Sequence, residues 1–325
     1  MSEITHEIAL HSFYNQIDYA LQNYKKHNKT ASQFSNIIIA GLGGSGIGGH
    51  IAKTYFLDKA SLPIEVYSDY QLPSYASKNS FIIICSYSGT TEETLSMYEQ
   101  AKALNSYIVC ISAGGQLLEN AQKDNFFYCK IEQGYQPRMA LGFSLTFNLL
   151  ILSELFGLNI VEELKGLSGI YKQDNSALAN NALDFFKASL QNKFTIIADN
   201  YTEAAGVRFC QQIQENAKHE AFINVLPEAN HNVFETYYGQ LPSNFIFINS
   251  HKNDRNDGRF AYLKSLLEKN NNKVFDLSIK DGSLYEIFKL INICDWFSIN
   301  LSMLKNEDNM KVDNIMGLKD FLKTF

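Results

Sequence analysis

The sequence predicts an α/β protein of two domains, each a mainly parallel sheet flanked by helices in a doubly wound, three-layer arrangement. Three observations carry this expectation. Short apolar runs at 36–40, 64–67, 81–85 and 107–111 alternate with longer segments of helical character. These runs are apolar on both faces, as strands covered by helices on both sides must be. The same pattern restarts at 194–198, 221–226, 245–249 and 273–277, and 325 residues suffice for about two domains at roughly 150 residues each.

The elements follow in order. Ile4, Ile8, Ile17, Leu21 and Tyr24 recur at helical spacing, so residues 4–26 are expected to form one amphipathic helix over a face of the first sheet. Residues 126–129 add a fifth strand, and 141–156 read as a buried helix closing the first domain. The mixed stretch 157–192, with Gly157, Gly166 and Gly169, reads as a connection. The domains are therefore set at 1–156, with the candidate phosphate loops, and 157–325, with a helix at 203–220 and a long apolar helix at 284–304. Pairing Ile38 with Ile196, Ile83 with Ile246 and Ile108 with Val274 gives offsets of 158, 163 and 166, as one domain used twice would. The second copy lacks the glycines: Asp199-Asn200-Tyr201-Thr202 stands where Gly41–Gly46 stood.

Charge and composition exclude several classes. A net charge of −6, a pI near 5.7 and no block of Lys and Arg argue against a nucleic-acid or anionic-membrane partner. Five widely spaced cysteines with no CxxC pair indicate neither a disulfide framework nor a zinc site, and Cys85 and Cys110 sit in strand-like runs as buried thiols. Glu3, His6 and Glu7 occupy the place where a signal peptide would want positive charge. The apolar stretch 145–158 is broken by Thr146, Asn148, Ser153 and Glu154, so no span is expected there. The expectation is a soluble cytoplasmic protein.

Two turns offer a place for an anion. Gly41-Leu42-Gly43-Gly44-Ser45-Gly46 follows the first strand and precedes a helix, the arrangement that points backbone amides at an anion. It matches the GxGxxG dinucleotide fingerprint literally, with Glu65 or Asp69 near the expected distance. It is neither a Walker A loop nor a GxSxG nucleophile elbow. The second turn, Ser86-Tyr87-Ser88-Gly89-Thr90-Thr91, crowds four hydroxyls at the start of another helix. An N-cap needs one of them. A phosphate, with a charge of about −1.5 to −2, uses several, and a dinucleotide leaves them without a purpose.

These two turns together resemble the sugar isomerase (SIS) domain, which binds phosphosugars. Gln136-Pro137-Arg138-Met139-Ala140-Leu141-Gly142, Gln214-Glu215-Asn216-Ala217-Lys218 and Pro227-Glu228-Ala229-Asn230-His231-Asn232 extend the resemblance to the bifunctional phosphoglucose/phosphomannose isomerases. The five motifs span most of the chain in the family's order. The resemblance implies two SIS-type domains and aldose–ketose isomerisation of glucose 6-phosphate and/or mannose 6-phosphate to fructose 6-phosphate through an enediol. It implies Gly44, Ser45, Ser86, Ser88 and Thr91 as phosphate ligands, Glu215 as the base and Arg138 at the enediolate. His231 and Lys319 open the ring, with no metal or organic cofactor. It further implies a homodimer in which His231 serves the neighbouring active site.

By chemistry alone, a loop histidine between asparagines suits acid/base work, and a permanently charged guanidinium suits an enediolate. On residues alone Glu215 is one solvated helix carboxylate among several, and Lys311 and Lys323 lie near Lys319. Thr90 stands where the family carries Asn. Two rivals compete with this reading: a non-catalytic SIS phosphosugar-binding protein and an NAD(P)-binding oxidoreductase.

Overall fold

The computed structural model describes residues 4–171 and 175–324. The chain forms two compact units. The first is built on His11–Gln173 with Ser283–Tyr285, the second on Thr5–Leu10, Asp174–Gly282 and Glu286–Phe325. In place of one leading helix there are two, α1 (His6–His11) and α2 (Phe13–Asn23), interrupted at Ser12. The division between the units falls close by, between Leu10 and His11.

The first unit continues as β1 (Asn36–Gly41), α3 (Gly43–Tyr55), β2 (Ile64–Tyr67), β3 (Ser80–Cys85), α4 (Glu92–Ala103), β4 (Tyr107–Ser112), α5 (Gly115–Lys123) and β5 (Phe127–Lys130), then α6 (Leu141–Leu155), α7 (Val161–Gly166) and α8 (Ser168–Tyr171). Its strands are parallel in the order β2-β1-β3-β4-β5. All six residues of β3 are buried, because helices cover both faces of the sheet centre. α6 is buried around almost its whole circumference, as a helix enclosed by others must be, and α2 lays Phe13, Ile17 and Ala20 against it.

The second unit contains α9 (Ser176–Phe185), β6 (Lys193–Asp199), α10 (Glu203–Ala217), β7 (Ala221–Leu226), β8 (Ser243–Ile248), α11 (Asp254–Lys269), β9 (Val274–Asp276), α12 (Leu284–Leu304) and α13 (Asp313–Leu322). Its parallel order, β7-β6-β8-β9, repeats that of the first four strands of the other sheet. The repeated topology pairs β1 with β6, β3 with β8 and β4 with β9. Among the described residues α12 alone is long and apolar enough to cross a membrane, and 72% of that stretch is buried inside the protein. It is a core helix.

In both units the chain leaves the first strand toward one side and returns to the other. The strand order therefore reverses between β1 and β3, and between β6 and β8. Such switch points open a crevice at the carboxyl ends of the strands.

Candidate active site

The crevice of the first unit gathers the two turns. Gly41 pairs directly with Cys85 across β1 and β3, so the segments that follow leave the sheet side by side. Most of the glycine run is helix rather than loop, since α3 starts at Gly43 and already contains Gly44, Ser45, Gly46, Gly48 and Gly49. The reason is packing. A Cβ on Gly44 would lie 2.8 Å from the Pro137 carbonyl oxygen and 3.2 Å from Arg138 Cα. The absent side chain lets the short 3-10 turn Pro137–Met139 rest on the first turn of α3, which carries the buried Arg138 to the crevice.

The hydroxyls form a linked set. Ser45 Oγ accepts from the Tyr87 amide at 3.0 Å, and Ser86 Oγ accepts from the Gly89 amide at 3.1 Å. Ser86 Oγ also lies 3.0 Å from Thr91 Oγ1. Ser88 Oγ accepts from the Thr90 amide at 3.3 Å and from the Thr90 hydroxyl at 3.2 Å. A hydroxyl that accepts from an amide keeps its own proton to donate. Thr91 occupies the N-cap position of α4, yet its side chain makes no cap bond to that helix. The first-turn amides and the positive end of the α4 dipole thus remain directed at the crevice. Thr90, which departs from the family pattern, keeps a role as donor to Ser88.

Tyr87 is a contributor that the sequence reading passed over. Its phenol oxygen accepts from the Tyr135 amide at 2.9 Å and donates to the Glu132 carbonyl at 3.1 Å. It thereby fastens the loop that leads into Arg138. The only signal in the sequence is its place between Ser86 and Ser88.

The equivalent crevice of the second unit is filled from within. Asp199, 1% exposed at the end of β6, accepts from the Tyr201 and Thr202 amides at 2.9 and 3.1 Å through Oδ1. Its Oδ2 accepts from the amide and hydroxyl of Ser250, after β8, at 2.9 and 2.6 Å. A side-chain carboxylate takes the place an outside anion would hold.

The second unit carries the remaining candidates on three elements. Glu215 stands in the last turn of α10, half-buried; His231 ends the 3-10 turn Glu228–His231 after β7; Lys319 is exposed on α13. Asn232, beside His231, caps the following 3-10 turn Val233–Thr236 by accepting from the Val233 amide at 2.6 Å, and its Nδ2 donates back to Glu228 Oε1 at 3.2 Å. α10 itself is fixed by a buried ladder. Arg208 Nη2 meets Asp295 Oδ2 at 2.7 Å, Gln212 donates to Asp295 Oδ1 at 3.0 Å, and Asn216 donates to Ser298 Oγ at 2.9 Å. Arg208, Gln212 and Asn216 are spaced four apart, so they share one face of the helix toward α12, and Glu215 points off that face.

Known proteins show the same two units. A SIS domain model matches residues 32–152, and the model of the bacterial phospho-glucose isomerase C-terminal SIS domain matches residues 179–322. A bifunctional phosphoglucose/phosphomannose isomerase from Caldicellulosiruptor bescii is 36% identical over 91% of both chains. The chain belongs to this isomerase family. A D-glucosamine-6-phosphate 4-epimerase from Sulfolobus acidocaldarius is 35% identical over 68% of this chain and 69% of its own, so the family's relatives extend to a second chemistry on a phosphosugar. In fold the chain also resembles the C-terminal domain of glucosamine-fructose-6-phosphate aminotransferase from Francisella tularensis, with a TM-score of 0.73, 13% identity and coverage of 95% and 97%.

Proposed function

We propose that the protein is a cytoplasmic aldose–ketose isomerase that interconverts glucose 6-phosphate and/or mannose 6-phosphate with fructose 6-phosphate. The observation that carries this reading is the match, at 36% identity over 91% of each chain, to an isomerase of that name. In the proposed mechanism the hydroxyls of Ser45, Ser86, Ser88 and Thr91, with the amide of Gly44 and the first turn of α4, hold the phosphate. His231 and Lys319 move the proton between the anomeric and ring oxygens that opens the sugar. The Glu215 carboxylate then takes the C2 proton of the aldose and returns it to C1, passing through an enediol. Arg138 meets the negative charge that develops on the enediol oxygens.

His231 is assigned to the active site of a second copy in a homodimer. Two surface features support an assembly. The ground around the His231 turn is a depression lined by Asn230, Phe234, Arg255, Arg259 and Tyr262, the aromatic and arginine composition enriched at interfaces. α13 leaves Ile315, Met316, Leu318, Phe321 and Leu322 between 43% and 58% exposed, an apolar face that an assembly would cover.

Coupled assays from glucose 6-phosphate and mannose 6-phosphate, run side by side with a glucosamine 6-phosphate epimerisation assay, test the reading. Turnover of either hexose phosphate to fructose 6-phosphate is expected. Turnover of glucosamine 6-phosphate alone would move the protein to the epimerase chemistry. A protein that binds fructose 6-phosphate without turning over any of the three would be a phosphosugar sensor.

A further inference from the structure

The residue that ends α10 has a conformation its side chain does not favour. Lys218 sits at φ 48°, ψ 47°, the left-handed position that closes a helix and that glycine or asparagine normally fills. Its ammonium group explains why a lysine is there. Nζ donates to the carbonyl of Glu215 at 2.8 Å, of Asp308 at 2.7 Å and of Lys311 at 2.8 Å. An ammonium has three protons, and these three carbonyls take one each. A second ammonium closes the clamp from the other side, for Lys305 Nζ donates to the Ala217 carbonyl at 2.7 Å and to the Lys218 carbonyl at 3.0 Å. Both charges stand at the negative end of the α10 dipole, where a cation is favoured.

The consequence is mechanical. One side chain fixes the backbone of Glu215 and, at the same time, residues 308 and 311, which lead into α13 and Lys319. A glycine at this position would close the helix with less backbone strain but would tie nothing to it. We infer that Lys218 is a positioning residue for the isomerisation, holding Glu215 in line with the reacting carbons and setting the root of the helix that carries Lys319. The inference rests on the assignment of Glu215 as the base.

The test exploits the difference between a helix cap and a clamp. In Lys218→Gly the left-handed position is relieved, so the melting temperature should stay within a few degrees of the unsubstituted protein. kcat for fructose 6-phosphate should fall by about 10- to 100-fold, as a displacement on the ångström scale does, while KM changes less than about twofold. Lys218→Arg, which can still donate to carbonyls, should recover part of the loss; Lys218→Met, of similar length without donors, should not. Amide exchange at residues 308–313 should speed up in the Gly and Met variants. A folded Lys218→Gly protein with full kcat would overturn the inference, as would equal kcat in the Arg and Met variants should the glycine variant fail to fold. Glu215→Gln, assayed alongside, separates the two failures. Full turnover there removes the base assignment, whereas loss there with full turnover in Lys218→Gly removes only the positioning role.

Discussion

Ser45 gains its value from what it accepts. With the Tyr87 amide already donating to Oγ, its hydroxyl proton is left over for a ligand. Ser45→Ala should raise KM for fructose 6-phosphate by roughly 10- to 100-fold, the effect of one hydrogen bond to a charged group at about 1.5–3 kcal/mol, and leave kcat within a few-fold. Steady-state kinetics decide it, and an unchanged KM would remove Ser45 from the proposed phosphate site. Tyr87→Phe deletes two bonds at once, to Tyr135 and Glu132, and should cost about 1–3 kcal/mol of stability in urea unfolding together with a drop in kcat as the turn that holds Arg138 loosens. The hydroxyl cluster of this turn was legible, because four hydroxyls in one turn are too many for a cap. Tyr87 was not, since a tyrosine's reach across 48 residues to Tyr135 is set by the fold.

At the scale of elements, the contact of α3 with the 137–139 turn and the seam of α10 with α12 dominate. Gly44→Ala would press a methyl group onto the Pro137 carbonyl, which is backbone and cannot swing away, so overpacking of about 1–3 kcal/mol and a loss of turnover are expected. The neighbouring Gly43 has open space at its Cβ but φ +50°, so its substitution should cost backbone strain while disturbing the 137–139 turn far less. A comparison of the two variants by melting temperature and kcat checks this. In the α10–α12 seam, Asp295→Ala would remove the carboxylate that meets the buried Arg208 and Gln212, and about 3–5 kcal/mol of stability should be lost. Replacing both partners with apolar residues of similar volume should restore most of it, which denaturant titration of the single and double variants would show. A helix over the glycine run and the break at Ser12 were not readable in advance. Glycine has low intrinsic helix propensity, and only the partners packed against α3 override it.

For the molecule as a whole, acid should be destabilising, and His27 is one reason. It is buried, its Nε2 lies 3.0 Å from the Ile151 carbonyl, and its Nδ1 accepts from the Lys29 amide at 3.0 Å. A neutral ring protonated at Nε2 satisfies both contacts, and a second proton would break the latter. Burial lowers its pKa below the ordinary 6.5, aided by Lys29 and opposed by the Ile151 carbonyl and Glu154. A histidine with a depressed folded pKa takes up its proton more readily when unfolded, so its contribution is intact above about pH 6.5 and is lost as the pH falls through the folded value. Melting temperature should therefore decline between pH 7 and 5, and His27→Gln should flatten that slope. An unchanged slope would assign the acid sensitivity to other groups.

The sequence by itself determined the fold class, the repeat of one α/β unit and the residue types of the candidate site, because strand burial and turn chemistry are written in local patterns a few residues long. Only the tertiary structure decided that most of the glycine run is helix, that Asp199 fills the second crevice, that Tyr87 anchors the approach to Arg138, and that Lys218 clamps the end of α10. Each of these depends on partners brought together from distant positions, Ser250 to Asp199 and Asp308 to Lys218 among them. Such pairings carry no signature in either segment alone, since a lysine, an aspartate or a carbonyl acquires its partner only when the chain has folded.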